Sequence, residues 1–365
     1  MLQVQPNIGE QFGMPAYDMR SAKNHPGYHG PVSFEPVMAP TQAPPQVPAP
    51  AHTPPPVPHQ RPVPDVAAMA QTMVMPNPTT CIRDVWQGNL YQEMAQISQI
   101  VERYRFISVD TEFPGVVVTP LQSCNRNETS SYQWKTIRSN VNILKIIQLG
   151  ITFSDQYGNK PPGVCTWQFN FHFDINSDMY AQDSLEMLER AGINFDRHLE
   201  EGIEACTFAE LMISSGLVLN DENRWVAFHS GYDFGYLLKL LTNAELPEQE
   251  ADFFETLRLW FGNIYDLKYM VKSCPTLNHR TGLNQLASEL KVERIGPAHQ
   301  AGSDSLVTCM LFFKLIQSPQ LSRVGRFANI LYGLGEDAAE LQQVGAKDNF
   351  EQHPAHTRSF LTYVY

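Results

Sequence analysis

The chain has 365 residues, a formal net charge of −12 and 27 prolines, of which 18 fall within residues 1–80. The acidic balance argues against a broad face that binds nucleic acid regardless of sequence, because such binding depends on Lys and Arg. It does not argue against a carboxylate metal site, where bound cations reverse the local charge. Any contact with an anionic substrate should therefore be short and local.

The cysteines and the apolar runs exclude several further classes of protein. Six scattered cysteines without a C-x-x-C pair disfavour a zinc ribbon and indicate reduced thiols. No run approaches the ~20 apolar residues of a membrane span, and the N-terminus lacks the basic start of a secretory signal. We therefore expect no membrane partner and a location in the cytoplasm and nucleus.

Composition sets residues 1–80 apart from the rest of the chain. Residues 1–80 form a Pro/Gln-rich arm that is expected to be disordered, since proline fixes φ and removes hydrogen-bond donors. The arm is either a docking tail for partners with aromatic grooves or a plain solvated tail. The remaining residues are enough to form one good-sized hydrophobic core.

Hydrophobic periodicity predicts an α/β domain with a mixed sheet flanked by helices. An amphipathic helix of about 20 residues is expected first, because Leu90, Met94, Ile97 and Val101 recur at helical spacing. In chain order the remaining predictions are a strand at 104–113, a polar loop at 122–140, strands at 143–153 and 166–173, helical sequence at 179–215, a strand at 225–228, helices at 232–241 and 248–261, a short strand at 264–265, and helices at 283–290 and 303–316.

The first predicted strand carries a pair of acids. Asp110 and Glu112 are separated by one residue, so both side chains point to the same face of a strand. Two such charges roughly 5–6 Å apart repel by about 2–4 kcal/mol at an effective dielectric constant near 20. This repulsion favours a bound cation; the alternative is the solvated end of an edge strand.

Two more acids and a histidine stand at predicted helix starts. Asp233 follows a strand end and a Ser-Gly turn, where ligand-binding groups gather in α/β sheets; the alternative is ordinary compensation of the helix dipole. Ser303 is the predicted N-cap of a helix that opens with Asp304. His299 lies five residues before Asp304, and is either part of the same cleft or a solvated loop histidine.

The combination is more informative than any of its parts. Four acids and a histidine occur in the order D-x-E…D…H-x-x-x-x-D. Carboxylate oxygens are the ligands that Mg²⁺ and Mn²⁺ prefer. Two such ions about 3.5–4 Å apart stabilise the attacking and leaving oxygens of a phosphodiester displacement. The pattern therefore predicts a two-metal site that cleaves phosphodiesters.

At these residues the chain resembles the DEDD superfamily of 3′-exonucleases in its histidine-containing subgroup, whose fold is ribonuclease-H-like. The resemblance extends beyond the acids, from about Ile82 to about Gly335. It therefore implies one folded domain at residues 81–335 and a C-terminal tail at residues 336–365. It is closest to the catalytic deadenylase of the Ccr–Not complex, the Caf/Pop family, in the stretches SVDTEFPGVV, LKIIQLGITF, WQFNFHF, DMYAQDSLEML, FHSGYDFGYLLKLLT, DFFETLRLWFGNIYDLKYM and ERIGPAHQAGSDSLVT.

This resemblance implies a poly(A)-specific 3′–5′ exoribonuclease that acts in mRNA turnover and translational repression and releases 5′-AMP with two divalent ions, Mg²⁺ or Mn²⁺. It also implies docking on the large Not scaffold subunit and on a second, exonuclease/phosphatase-type deadenylase. By position, Asp110, Glu112, Asp233 and Asp304 match the four metal-binding acids, and Asp110 would bridge both ions. His299 matches the general base.

Three questions stay open at this point. Phe113 is the candidate for stacking on a base of the RNA, but strand alternation places it on the face opposite Asp110, where it would belong to the core. The domain could instead serve mainly as an adaptor between other subunits. A third interpretation keeps the enzyme but gives it the substrate of a DNA proofreading exonuclease or an oligoribonuclease.

Overall fold

Six strands form one mixed sheet in a computed structural model that describes residues 81–119, 129–278, 280–319, 321 and 323–335. The outer edge strand β1 is followed across the sheet by β4, β3, β2, β5 and β6. The strands span β1 Ile82–Val85, β2 Phe106–Glu112, β3 Gln148–Ser154, β4 Thr166–Asn170, β5 Arg224–Ala227 and β6 Asn263–Asp266.

The sheet combines an antiparallel part with a parallel part. β2, β3 and β4 pair antiparallel with one another, whereas β5 pairs parallel with β2 and β6 pairs parallel with β5. β1 adds a parallel partner to β4. Because β2, β5 and β6 run in the same direction, their carboxyl ends meet at one edge of the sheet. The predicted ribonuclease-H-like α/β class is confirmed by this mixed, helix-flanked sheet.

Helices cover both faces of the sheet, and α10 packs across β2, β3 and β4 on one of them. None of the helices among the described residues is both long and apolar enough to cross a membrane. The helices span α1 Leu90–Ile100, α2 Thr129–Ile143, α3 Gln182–Arg190, α4 Phe195–Glu201, α5 Ala205–Ser214, α6 Gly231–Thr242, α7 Glu250–Phe261, α8 Leu267–Val271, α9 Leu283–Glu289 and α10 Ala301–Leu315, and a 3₁₀ turn covers Val324–Phe327.

The two faces of β3 and β4 differ in chemistry. Leu149, Ile151 and Phe153 are fully buried in the main hydrophobic core with Trp167 and Phe169. The alternate residues face α10 and are small or polar, yet they are buried as well: Gln148, Gly150, Thr152 and Ser154 on β3, and Thr166, Gln168 and Asn170 on β4. A polar layer therefore separates this part of the sheet from α10.

The prediction of a polar loop at 122–140 was wrong for its described part. Residues 129–143 form α2, and the following strand begins only at Gln148 instead of Ile143. Trp134, Ile137 and Val141 recur at helical spacing and are buried against the core. A run of polar residues on the opposite side of the helix concealed this periodicity in the sequence.

Other boundaries shift by smaller amounts. The first helix has 11 residues instead of about 20. The strand predicted at 166–173 ends at Asn170, although Phe171 still makes a single bridge to Ile203. The short strand β1 was not predicted. Ser303 is not an N-cap, because α10 begins at Ala301 and Gln300 is its N-cap residue.

The predicted arm at 1–80 and the predicted tail at 336–365 both lie outside the described residues.

Candidate active site

The carboxyl end of β2 positions the first pair of acids. Asp110 and Glu112 lie on one face of the strand, directly opposite Gly150 and Gln148 of β3. Glu112 is 7% exposed, and Asp110 is partly buried. The alternative of a solvated strand edge does not apply, because β2 lies in the middle of the sheet between β3 and β5.

The third acid comes from the start of α6. Asp233 lies in the first turn of this helix, which follows β5 after a short loop, and is 6% exposed. The hydroxyl of Thr111 on β2 donates a hydrogen bond of 2.6 Å to Asp233 Oδ1. This bond ties α6 to the strand that carries the acid pair.

The fourth acid and the histidine come from the start of α10. Asp304 lies in the first turn and is 6% exposed. The backbone N–H of His299 donates to Asp304 Oδ2 at 2.8 Å. His299 adopts a left-handed conformation with φ 62°, which is uncommon for residues other than glycine and typical of constrained functional positions.

The fold brings all five predicted residues to one edge of the sheet. One ligand atom each from Glu112, His299 and Asp304 lies within 4.8 Å of the other two. Asp110 interacts electrostatically with the three other acids, namely Glu112, Asp233 and Asp304.

Burial and mutual repulsion raise the pKa values of these acids. Desolvation, followed by the charges of Asp304 and Asp233, raises the pKa values of Asp110 and Glu112 well above their usual range. Desolvation also raises the pKa of Asp233 to about 7, and the pKa of Asp304 rises for the same reason. A neighbouring cation would reverse these shifts, because an opposite charge favours the ionised form.

One arginine, which the sequence argument did not identify, partly offsets this repulsion. Arg294 Nη1 lies 2.6 Å from Asp304 Oδ1, and both side chains are largely buried, with 18% and 8% exposure. The same guanidinium donates to Ser303 Oγ at 2.9 Å. Arg294 therefore fixes one oxygen of Asp304 while the backbone of His299 fixes the other.

The cluster fits a divalent cation by its chemistry. Among the residues that the structure describes, no hydrogen bond or ion pair reaches the carboxylates of Asp110 and Glu112, although both lie in the cluster. Glu112 is buried, and buried carboxylates normally have such partners. Their unsatisfied oxygens are therefore suited to bind Mg²⁺ or Mn²⁺, both of which prefer oxygen ligands.

Asp266, a further buried acid that sequence analysis missed, lies at the same edge and has a different environment. It ends β6, is fully buried, and accepts hydrogen bonds from the backbone N–H groups of His229, Ser230, Lys268 and Tyr332 and from the Ser230 hydroxyl. Its position at a strand end before a helix is the same signal that identified Asp233. Its hydrogen bonds hold the loop that leads into α6.

Phe113 lies in the main hydrophobic core, as strand alternation indicates. Its ring stacks on Tyr232 with centroids 4.8 Å apart and also contacts Tyr236 at 5.2 Å. The side chain is 9% exposed. This packing favours the core interpretation over a base-stacking one.

A mixed sheet whose edge gathers four acids and an imidazole defines a metal-dependent phosphodiester hydrolase as the class of protein. The family model described as CAF1 family ribonuclease matches residues 85–211 and 207–312. The chain therefore belongs to the CAF1 ribonuclease family.

Individual relatives agree with this assignment. The poly(A) ribonuclease pop2 of Schizosaccharomyces pombe is 47% identical over 287 residues, which cover 76% of this chain and 84% of the relative. The structure of S. pombe Pop2p in its Mg²⁺- and Mn²⁺-bound form is 49% identical with a TM-score of 0.67, covering 70% of this chain and all of that one. A structure of the yeast NOT1 MIF4G domain co-crystallised with CAF1 matches at 33% identity and a TM-score of 0.59, covering 71% of this chain and all of that one.

Proposed function

We propose that this protein is a metal-dependent 3′–5′ exoribonuclease that shortens the poly(A) tails of mRNA. The observation that carries the proposal is the cluster of four acids and His299 beside the carboxyl end of β2, in which Asp110 and Glu112 have no hydrogen-bond donor among the described residues. The family membership and the poly(A) ribonuclease activity named for the S. pombe relative support the substrate.

Asp110, Glu112, Asp233 and Asp304 would hold two divalent ions. When bound, such ions stabilise the attacking and leaving oxygens of an in-line displacement. The Mg²⁺- and Mn²⁺-bound form of the Pop2p relative supports the choice of metals. The protein's own contribution is to keep the four carboxylates within one buried cluster, at a cost in desolvation that the ions would offset.

His299 is proposed to take the proton of the attacking water. Its backbone is fixed by the hydrogen bond to Asp304 Oδ2, so its ring is held beside the acids without a flexible loop conformation. General-base assistance of this kind typically contributes about 10²–10⁴-fold in rate. The products would be 5′-AMP and a tail that is shorter by one nucleotide.

The proposed partners follow from the resemblance and from one relative. The NOT1 MIF4G domain co-crystallised with CAF1 supports docking on a large Not scaffold subunit. A second, exonuclease/phosphatase-type deadenylase is proposed on the sequence resemblance alone. A subunit of such an mRNA-decay complex would act in the cytoplasm and the nucleus.

A gel time course tests the activity. A 5′-labelled RNA ending in about 20 adenines is incubated with Mg²⁺ or Mn²⁺ and wild type, Asp110→Ala or Asp252→Ala. Asp252 is the matched control, because it is an exposed acid in the first turn of α7 and lies outside the cluster.

Wild type and the Asp252→Ala variant should give a ladder that shortens from the 3′ end and slows at the first residue that is not adenine. Asp110→Ala should leave the RNA intact. No shortening by wild type with either metal would favour the adaptor function. Equal digestion of RNA and DNA would favour a general exonuclease.

A further inference from the structure

Two polar rows cross the sheet from the acid pair toward β1. In the strand register, Glu112 is opposite Gln148, which is opposite Asn170. In the adjacent row, Asp110 is opposite Gly150, which is opposite Gln168. All of these side chains lie on the face that α10 covers, because the strand period is two residues. Asp110 and Glu112 therefore lie at the β2 end of a polar layer that packs beneath the start of α10.

The glutamines of this layer cap α10. The first N–H groups of a helix have no partner within the helix. Gln148 Oε1 accepts from the N–H of Ala301 at 3.2 Å, and Gln168 Oε1 accepts from the N–H of Gly302 at 2.9 Å. Gly150 permits this close approach, since a Cβ at that position would overlap the carbonyl of Ala301. The cap therefore comes from two neighbouring strands, and the N-cap residue itself makes no side-chain cap.

Gln300 joins the two glutamines to the loop that carries His299, because it directly follows His299 in the chain. Its Oε1 accepts from Gln148 Nε2 at 3.1 Å and from Gln168 Nε2 at 2.9 Å, while its Nε2 donates to the carbonyl of Ala191 at 3.1 Å. We call Gln148, Gln168 and Gln300 the glutamine clamp. Gln148 and Gln168 are 2% and 7% exposed, and buried amides with several partners are rigid.

The clamp contacts the start of α10 next to two residues of the site. His299 lies just before the helix, and Asp304 lies in its first turn. His299 precedes Gln300, and its left-handed backbone, which costs about 1–3 kcal/mol, persists only where the surroundings impose it. Asp304 donates its backbone N–H to the carbonyl of Gln300 at 3.0 Å. Any rotation of Gln300 would therefore displace both His299 and Asp304 relative to Glu112.

We propose that Gln148 and Gln168 are positioning residues that hold His299 and Asp304 in register with the acid pair. This inference rests on the proposed metal-dependent function, because the geometry that the clamp fixes is that of the metal and base residues. Groups that orient metal ligands typically change metal affinity or activity by about 10–100-fold when they are removed.

Three variants test the clamp against a structural control. Gln148→Met and Gln168→Met keep the side-chain length and remove both hydrogen-bonding groups. Gln168→Asn keeps the amide group but moves it one methylene away from its hydrogen-bond partners. This variant replaces Gln168→Met if the Met variant fails to fold. Ser154→Ala is the control, because Ser154 is also buried on the α10 side of β3 but accepts from Cys309 Sγ at 3.5 Å, and Cys309 lies five residues beyond Asp304 on the helix.

The readouts separate positioning from stability. Electron paramagnetic resonance measures Mn²⁺ affinity. The shortening of the adenine-tailed RNA gives kcat and KM, and thermal unfolding in EDTA gives Tm. The clamp variants should weaken Mn²⁺ binding and lower kcat by about 10–100-fold each, with KM within about twofold of wild type. Ser154→Ala should change Tm alone.

The outcomes are distinct for the inference and for the proposed function. Clamp variants that bind Mn²⁺ and turn over within about twofold of wild type overturn the inference, whether or not their Tm falls. A loss of Mn²⁺ affinity by Ser154→Ala equal to that of Gln168→Met also overturns it, because general loosening of the interface would then suffice. Absence of Mn²⁺ binding and RNA shortening in wild type itself overturns the proposed function.

Discussion

Two kinds of buried carboxylate lie at the same edge of the sheet. Asp266 at the end of β6 accepts five hydrogen bonds and is fully buried. Asp110 and Glu112 at the end of β2 have no such donors among the described residues and face two other acids. The same residue type at equivalent strand ends thus has opposite surroundings.

This difference separates a structural acid from a ligand-binding one. A carboxylate whose oxygens are saturated by protein donors has no capacity left for a metal ion, and it stabilises the loop that bonds it. A carboxylate whose oxygens are unsatisfied is destabilising until a cation arrives. Burial alone would not distinguish Asp266 from Glu112. The hydrogen-bond donors around the carboxylate distinguish them, because Asp266 has five and Glu112 has none among the described residues.

The largest expected effect comes from Asp110→Asn. We expect at least about a 10³-fold loss of kcat, since electrostatic stabilisation by the metals is worth several kcal/mol. In EDTA the Tm should be equal to or above that of wild type, because a source of repulsion is removed. RNA shortening and thermal unfolding measure the two effects, and a marked fall in Tm would mean that Asp110 is a structural acid like Asp266.

His299→Asn should lower kcat by about 10²–10⁴-fold. Asn is chosen because it tolerates the left-handed backbone found at this position, so the start of α10 should be preserved. Mn²⁺ affinity should change little if His299 acts as a base. A parallel loss of Mn²⁺ affinity would instead make His299 a metal ligand, which its distance from Glu112 and Asp304 permits.

Asp266→Asn should reverse the pattern seen for Asp110→Asn. The new amide group would face at least two N–H donors, since each oxygen of Asp266 accepts two or more hydrogen bonds. Unsatisfied buried donors cost about 1–3 kcal/mol each, so we expect a stability loss of about 2–5 kcal/mol. Chemical denaturation measures this loss, and unchanged stability would remove the distinction between the two kinds of acid.

Local patterns in the sequence were sufficient for the acids of the site. The alternation of β2 placed Asp110 and Glu112 on one face, and the strand-to-helix turn placed Asp233 at the sheet edge. Both signals depend only on neighbours in the chain. The positions of most strands along the chain were predictable for the same reason.

The residues that support the acids could not be predicted in this way. The hydroxyl of Thr111 bonds Asp233, 122 positions away, and Gln168 bonds the N–H of Gly302, 134 positions away. No local period encodes such a pairing. Gln168 was visible only as a polar residue alternating with apolar ones, a pattern that ordinarily indicates a solvent-exposed strand face.

The metal dependence of stability should vary with pH. An acid whose pKa is raised by folding stabilises the fold while it is protonated, and this contribution is lost as the pH rises through the folded pKa. For Asp233 that window runs from about 4 to about 7. The Tm difference between protein in Mg²⁺ and protein in EDTA should therefore widen between about pH 4 and about pH 7. A difference that is constant with pH would contradict the raised pKa values.

Phe113→Leu should have the smallest effect and marks the border between the site and the core. Phe113 stacks on Tyr232 and lies among buried apolar side chains. The smaller side chain should lower stability by about 1–2 kcal/mol, less than the ~3–5 kcal/mol typical of Phe→Ala. Because the stacked face is not available to a base, KM for the adenine-tailed RNA should stay within about twofold of wild type. A KM increase of about tenfold with unchanged Tm would instead place Phe113 among the substrate contacts and extend the site across β2 to the opposite face of the sheet.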